Sequence, residues 1–531
     1  MQQRPTELEP SSPGAPDLSR RVSAVLVATG ILVFSLLASA ASIGLHWRFD
    51  QINPLDKAYF LQRAWQAAFG IAPCRTLLAT ESGAGLWAGK HLDPILGLFV
   101  PLVRWWPSME ALLAGQAVVL ALGAVPAYTL AETATGDRRT AVLAAWAWLT
   151  LPLVWSMAVT DFRTFSLAAP FMLACWAAAL RGRVGWSLFW CLAALACREE
   201  VAWFMLAALP ALAWETRRLP GARAGAGLLL LTILAWLGLV TTALGGFSPF
   251  VDFSDTLQRM ARDTSHLLPL ARAAQGHPAR ALEVLTYQVH ATGPALIAVL
   301  LAPLRAAPAL LNWLTACYAE GLATPESFHY LAPTAAAVAF AWSSGLTRAA
   351  HIAASTIRLL ATRRSDTPAD RDPDSRSAGQ GHGRPAPGPV PARIAAGTLL
   401  LANLAVLHHT PPPGLDSAPR VLTGTMRPET RTDSAWPLIL RIPNDAPVLT
   451  DDMFVSALAN RLVIFDADEI RSSRDRRTVI DSVSWALLRD GSPWVDDLEA
   501  NGFRQVGQSG GATLLVRTAG VPMSWPSLCF R

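Results

Sequence analysis

Apolar runs of roughly membrane-spanning length alternate with short charged turns along most of the chain, and from about residue 410 the pattern changes to short alternating segments. Crossing a hydrocarbon core takes about 20 apolar residues. On that basis the pattern predicts helices over about 22–44, 109–131, 140–160, 164–180, 184–197, 201–214, 224–245, 282–304, 306–322, 328–345 and 394–408. The run 92–107 is apolar but short, and reads as re-entrant or surface-lying. Residues 45–91 form a long loop in which Tyr59–Phe69 reads as a helix at the interface, with Trp47, Trp65 and Trp87 at headgroup level. Beyond 410, Pro447–Thr450, Arg461–Phe465, Val483–Leu488, Phe503–Val506 and Thr513–Val516 read as strands. Phe454–Asn460 and Trp494–Asn501 read as helices, and Gly507–Gly511 carries a hairpin signal.

The turns fall into two classes. Arg20-Arg21, Asp137-Arg138-Arg139, Arg181 with Arg183, and Arg217-Arg218 are turns dominated by arginine, which the positive-inside rule places in the cytoplasm. The opposite turns mix acids with cations: Asp50, Asp56, Lys90, His91, Asp161, Arg163, Arg198, Glu199, Glu200 and His329 all reach the outer face. A charge at bilayer depth costs a few kcal/mol at least, so charges gathered on one face point to a site there.

The expected fold is an all-α polytopic membrane protein of about eleven transmembrane helices with a small C-terminal α/β extracytoplasmic domain. Its parts are a cytoplasmic tail 1–21, a transmembrane domain 22–345 with the outer loop 45–91, a cytoplasmic linker 346–393, a last helix 394–408 and the outer domain 409–531. The apolar run at 22–44 reads as a retained helix and not a cleaved signal. The linker is rich in Pro, Asp, Ser and Gly and cannot build a core.

Composition narrows the class further. The chain of 531 residues is 52% hydrophobic and only 16% charged, against about 25% charged in soluble domains. The net charge of +5 is spread over cytoplasmic turns and reads as topology, not nucleic-acid binding. Of the six cysteines, Cys175, Cys191, Cys197 and Cys317 lie in apolar runs, whereas Cys74 and Cys529 fall outside, where a disulfide is chemically permitted. No Walker loop, strand–GxGxxG–helix unit, HExxH or GxSxG is present.

Individual outer-face residues carry the chemistry. Asp56 and, next to it, Asp50 offer a general base at the membrane surface. Asp56, Tyr59 and Arg63 share one helical face, which would give Asp56 a cationic neighbour. Lys90 and His91 are cationic donors suited to a lipid phosphate. Asp161-Phe162-Arg163 and Arg198-Glu199-Glu200 interrupt apolar runs so closely that their charges sit at the bilayer edge; Arg163 with Glu199, or Arg198 with Asp161, would bridge helices.

Taken in order, these segments resemble a bacterial family of multi-span membrane proteins of unknown function, whose members look like GT-C glycosyltransferases. Asp56-Lys57-Ala58-Tyr59-Phe60-Leu61-Gln62-Arg63-Ala64-Trp65 resembles its Asp-Leu-Gly-Ile-Phe-Asp-Gln-Ala-x-Trp pattern, with Leu61 in place of the second acid. His91-Leu92-Asp93-Pro94-Ile95-Leu96 resembles His-x-x-Pro-Ile-Leu. Asp161-Phe162-Arg163-Thr164 resembles Asp-Phe-His-Pro with the last two changed, Arg198-Glu199-Glu200 stands for Lys-Glu-Asp, and His329-Tyr330 matches a late His-Tyr.

The resemblance implies a glycosyl donor on polyprenyl phosphate and an acceptor outside the cytoplasm, an envelope glycan or lipid, with membrane lipids around it. Asp56 or Asp50 would be the base; Lys90, His91, Arg198 and Arg163 would bind the donor phosphate. Asp161, Glu199, Glu200, Gln62, His329 and Tyr330 would orient those groups or bind sugar. No cofactor and no metal ligands are assigned, and a divalent metal stays open. The alternative function is a transporter or flippase for lipid-linked saccharides, or a non-catalytic envelope-assembly partner.

Overall fold

The computed structural model describes residues 18–50, 53–71, 91–243, 301–318, 330–365, 390–470 and 473–518. In chain order the helices are α1 Arg20–Arg48, α2 Pro54–Ala68, α3 Val100–Trp105, α4 Met109–Leu122, α5 Ala124–Thr135, α6 Arg138–Leu149, α7 Pro152–Val159, α8 Ala168–Leu180, α9 Val184–Leu195, α10 Val201–Thr216 and α11 Ala222–Ala243. They continue as α12 Ala307–Tyr318, α13 Ala332–Ser365, α14 Val390–His409, α15 Ala418–Leu422, α16 Trp436–Ile439, α17 Asp452–Leu458, α18 Ser473–Ser482 and α19 Trp494–Ala500. Turns of 3-10 helix at Pro94–Phe99 and Thr164–Leu167 lead into α3 and α8.

Among the described residues, four helices are long and apolar enough to cross a membrane: α1, α4 continued by α5, Ala222–Val240 within α11, and α14. The pair α6–α7, bent by 43°, is a fifth if counted as one. That is fewer than the eleven expected. The reason is local: Thr164–Leu180, α9 and α10 are each cut to 10–17 residues by the charged turns that cap them, and the run predicted at 282–304 lies almost wholly outside the described residues.

Two helices depart from expectation in length. The last one spans Val390–His409, longer than the 394–408 predicted. It is anchored by Arg393, which pairs with Asp137 at 2.8 Å, and by buried Asn403, which donates to the Ala147 carbonyl. α13 continues to Ser365, twenty residues into the stretch expected to be linker. Residues 346–365 are rich in Ala, Leu and Arg, all strong helix formers; the Pro- and Asp-rich composition begins only after them.

The C-terminal sheet has the order β2-β1-β3-β5-β4, with β1 Val448–Thr450, β2 Ile464–Asp466, β3 Trp485–Arg489, β4 Phe503–Ser509 and β5 Ala512–Arg517. β1 runs parallel to both β2 and β3, and β5 is antiparallel to β3 and β4. Parallel pairing requires crossovers, which α17 and α18 supply. Gly510 and Gly511 both take positive φ in the two-residue β4–β5 turn, as a mirror-image hairpin turn demands. A Cβ on Gly510 would meet the Ser434 backbone at 2.3 Å.

Successive strand residues face opposite ways, and the two faces have different partners. Leu449, Ala486 and Leu488 build a small core with Val479, Trp494 and Leu498. Val448, Ile464, Leu487 and Leu514 face the other way and join the core of the helical bundle. The sheet is therefore seated on the bundle, with α17 packed against α2.

Candidate active site

Phe49 and Asn53, which precede the helix α2, both take left-handed backbone conformations, with φ of 60° and 50°. That conformation is unusual for a bulky residue. The C-terminal region holds it: Phe49 stacks on Trp436 at 5.3 Å and meets Phe454 edge-on at 5.3 Å. Trp436 and Arg431 also donate to the Trp47 carbonyl. The turn that presents Asp56 is thus fixed by residues about four hundred positions later.

α2 is expected at the interface but is buried along most of its length. Gln62, a candidate sugar ligand, donates instead to the carbonyls of Arg461 and Leu462, tying α2 to the sheet region. Arg63, expected beside Asp56, forms a two-pronged buried pair with Asp93, at 2.7 and 3.3 Å, and Thr164 donates to the same carboxylate. Asp50 pairs with Arg48 at 2.9 Å, and Arg48 with Asp416, so Asp50 belongs to a different pair.

The cation on Asp56 is Arg163. Its Nη1 lies 2.5 Å from Asp56 Oδ2, while its Nε donates to Asp161 Oδ2 at 2.8 Å. Arg163 reaches both acids because the chain is unwound from Thr160 to Arg163. Gln116 of α4 replaces the helix bonds lost there: its amide nitrogen donates to the carbonyls of Met157 and Asp161, and its oxygen accepts from Arg163 N–H. A buried backbone group without a partner is rare, and Gln116 satisfies three.

The turn Arg198–Glu200, between α9 and α10, closes the other side. Glu199 is fully buried and accepts from the Leu92 N–H at 3.1 Å and from His91 Nδ1 at 2.8 Å. Arg198 pairs with Glu200 at 2.5 Å and lies over the rings of Tyr330 and Phe165, at 5.2 and 5.4 Å. Tyr330 is within electrostatic reach of both Arg163 and Arg198. The cross-helix pairs Arg163–Glu199 and Arg198–Asp161 are replaced by these shorter-range ones. Lys90 and His329 lie outside the described residues.

Three contributors were not singled out from the sequence as site residues. Lys57 is fully buried below Asp56; burial pulls its ammonium down to about 7, against the pull of Asp161, with Arg163, Asp452 and Asp56 also acting on it. Its one signal is rarity, since Lys57 and Lys90 are the only lysines. Asp93 stands within the His91–Leu96 segment. Gln116 has no sequence signal beyond being an amide in an apolar helix. Among the described residues no group of three or more His, Cys, Asp or Glu is arranged to hold a metal ion.

Exposure separates these groups. The Asp56 side chain is 37% exposed, whereas Asp161 is 3% and both Asp93 and Glu199 are 0%. Asp56 is open to an approaching group, and the other three are shut away from one.

The charged network thus lies within a bundle of apolar helices on which a small sheet is seated. The fold is similar to that of ArnT from Cupriavidus metallidurans bound to undecaprenyl phosphate, with a TM-score of 0.50 and 14% identity over 96% of this chain and 100% of that one. The archaeal oligosaccharyltransferase AglB from Archaeoglobus fulgidus, in complex with an inhibitory peptide and a dolichol-phosphate, aligns at a TM-score of 0.41 and 11% identity, over 87% of this chain and 69% of that one. No curated protein matches the sequence. The family described as Predicted membrane protein (DUF2079) matches residues 45–362, more than half of the chain. The chain belongs to that family.

Proposed function

We propose that this protein is a membrane glycosyltransferase that moves a sugar from a polyprenyl-phosphate donor to a hydroxyl of an extracytoplasmic acceptor. The acceptor class would be a cell-envelope glycan, lipid or protein. The observation that carries this reading is the accessible Asp56 carboxylate at the surface of an otherwise buried network of paired charges. The undecaprenyl phosphate bound by ArnT, the structure of similar fold, supports the donor class.

In this reading Asp56 accepts the proton of the acceptor hydroxyl as its oxygen attacks the anomeric carbon. The bond from that carbon to the phosphate oxygen breaks, and polyprenyl phosphate leaves with the electron pair. Arg163 holds one oxygen of Asp56 and, with Arg198, His91 and Lys90, offers positive charge to the leaving phosphate. Asp161, Glu199 and Glu200 orient those cations. Tyr330, with His329 next to it, borders the sugar side. The network faces outward, with the N-terminus in the cytoplasm and the sheet outside.

The test is transfer from a lipid-linked sugar in membranes holding equal amounts of each variant. Asp56→Asn keeps shape and removes the basic carboxylate, so turnover should fall about 10²–10⁴-fold. Arg198→Ala should chiefly weaken donor binding. Full turnover by Asp56→Asn would exclude Asp56 as the base and leave Asp50, the other exposed acid of this loop, as the candidate. No transfer by the wild type with any polyprenyl-phosphate sugar would favour the transporter reading.

A further inference from the structure

A cavity that runs along α8 to its far end plays no part in the Asp56 network. It has a volume of about 640 Å3, within the range of about 300–1,000 Å3 usual for small-molecule sites. Phe171 and Ala193 line the end near the site, and Arg181, Arg183 and Trp186 line the far end. Its rim is open, with Val125, Trp186 and Phe189 exposed, so in a membrane it faces lipid.

The far end is charged in a specific way. Gly182, with φ 68°, turns the chain tightly between α8 and α9, and both arginines that flank it line the cavity. Arg181 is already engaged: it donates to Glu132 at 2.8 Å and to Thr133 at 3.1 Å. Arg183 is exposed, and among the described residues it has no ion pair or side-chain hydrogen bond. An apolar groove thus ends in an uncompensated guanidinium.

Length selects the occupant. From Phe171 to Arg181 the groove follows α8 for about 15 Å at 1.5 Å per residue. That is half of the ~30 Å hydrocarbon core, or one leaflet. A lipid whose tail fills the groove and whose head reaches Arg183 therefore has its head at the membrane face opposite Asp56. A donor with its phosphate at the Asp56 end would leave Arg183 unanswered.

We propose that this groove binds one anionic phospholipid from the leaflet opposite the Asp56 site, with an acyl chain along α8 and the phosphate on Arg183. A guanidinium matches phosphate oxygens in pairs, and Trp186 sits at the depth where indole rings favour headgroups. A zwitterionic head carries its own cation and gains less from Arg183.

Delipidated full-length protein in detergent, titrated with phosphatidylglycerol or phosphatidylcholine and read by native mass spectrometry, tests this directly. Phosphatidylglycerol should bind about tenfold more tightly than phosphatidylcholine, equivalent to ~1.4 kcal/mol. Arg183→Gln, at an exposed position, should erase that preference while leaving the fold intact. Ala174→Trp, which fills the groove, should lower the occupancy of both lipids. Equal binding of the two lipids would mean ordinary boundary lipid and overturn the proposal, as would an unchanged preference in Arg183→Gln. Displacement of phosphatidylglycerol by undecaprenyl phosphate in Arg183→Gln and wild type alike would assign the groove to an isoprenoid tail instead. Because the readout is binding, the result does not depend on transfer activity.

Discussion

The two ends of the helix α8 carry charge in opposite ways. At the Asp56 end, Arg63 and Asp93 pair at 2.7 Å with side chains 3% and 0% exposed. At the other end Arg181 and Glu132 pair at 2.8 Å with side chains 31% and 30% exposed. The distances are nearly equal, but the energetics are not. An exposed pair is worth about 0–1 kcal/mol, while each buried ion forfeits several kcal/mol of hydration that its partner must offset. The Arg181–Glu132 pair at the open end therefore costs little to keep, whereas the charges packed beneath α2 are costly, and in the proposed function they serve the accessible acid at their surface.

The largest effect should come from breaking a buried pair. Asp93→Ala removes the buried carboxylate that faces the Arg63 guanidinium, so stability in detergent should drop by about 3–5 kcal/mol, read as a fall in thermal midpoint. A drop no larger than that of Glu132→Gln would erase the contrast between the ends.

A buried acid without a cation sharpens the point by reversing the sign. Burial, with Asp452, Asp468 and Glu469 nearby, pushes the Asp466 carboxyl up to about 7. Its folded value lies above the unfolded value of about 4, so the folded state binds the extra proton. Stability is then full below about pH 4 and is lost as pH rises through 7. Asp466→Asn, which keeps an acceptor for the Asp468 N–H, should be more stable than wild type by about 4 kcal/mol at pH 8. The gain should vanish below pH 4, and a pH-independent difference would contradict the assignment.

Gln116→Leu should cost about 1–3 kcal/mol for the backbone groups it strands. It should also lower transfer, because the unwound segment carrying Arg163 loses its support. Normal transfer by this variant would show that the segment holds itself. The smallest effect belongs to the open end: Glu132→Gln should change stability by less than about 1 kcal/mol and fade further with added salt.

Within the described residues, the apolar runs that form α1, α4 with α5, α11 and α14, and the five strands, were legible in the sequence, because hydropathy and period are local properties. Asp161, Arg163 and the Arg198–Glu200 turn could be picked out for the same reason, since a charge interrupting an apolar run is visible without a fold; Asp56 stood out as an acid in the loop just after the first span. Who pairs with whom was not visible. Arg63 shares a helical face with Asp56 yet turns to Asp93, which is thirty residues away, and Arg163 takes its place. Gln116, Lys57 and the seating of Gln62 on Arg461 and Leu462 depend on contacts between distant segments. Only packing decides these, since a buried charge settles on whichever opposite group the fold brings within about 3 Å, and sequence spacing does not measure that distance.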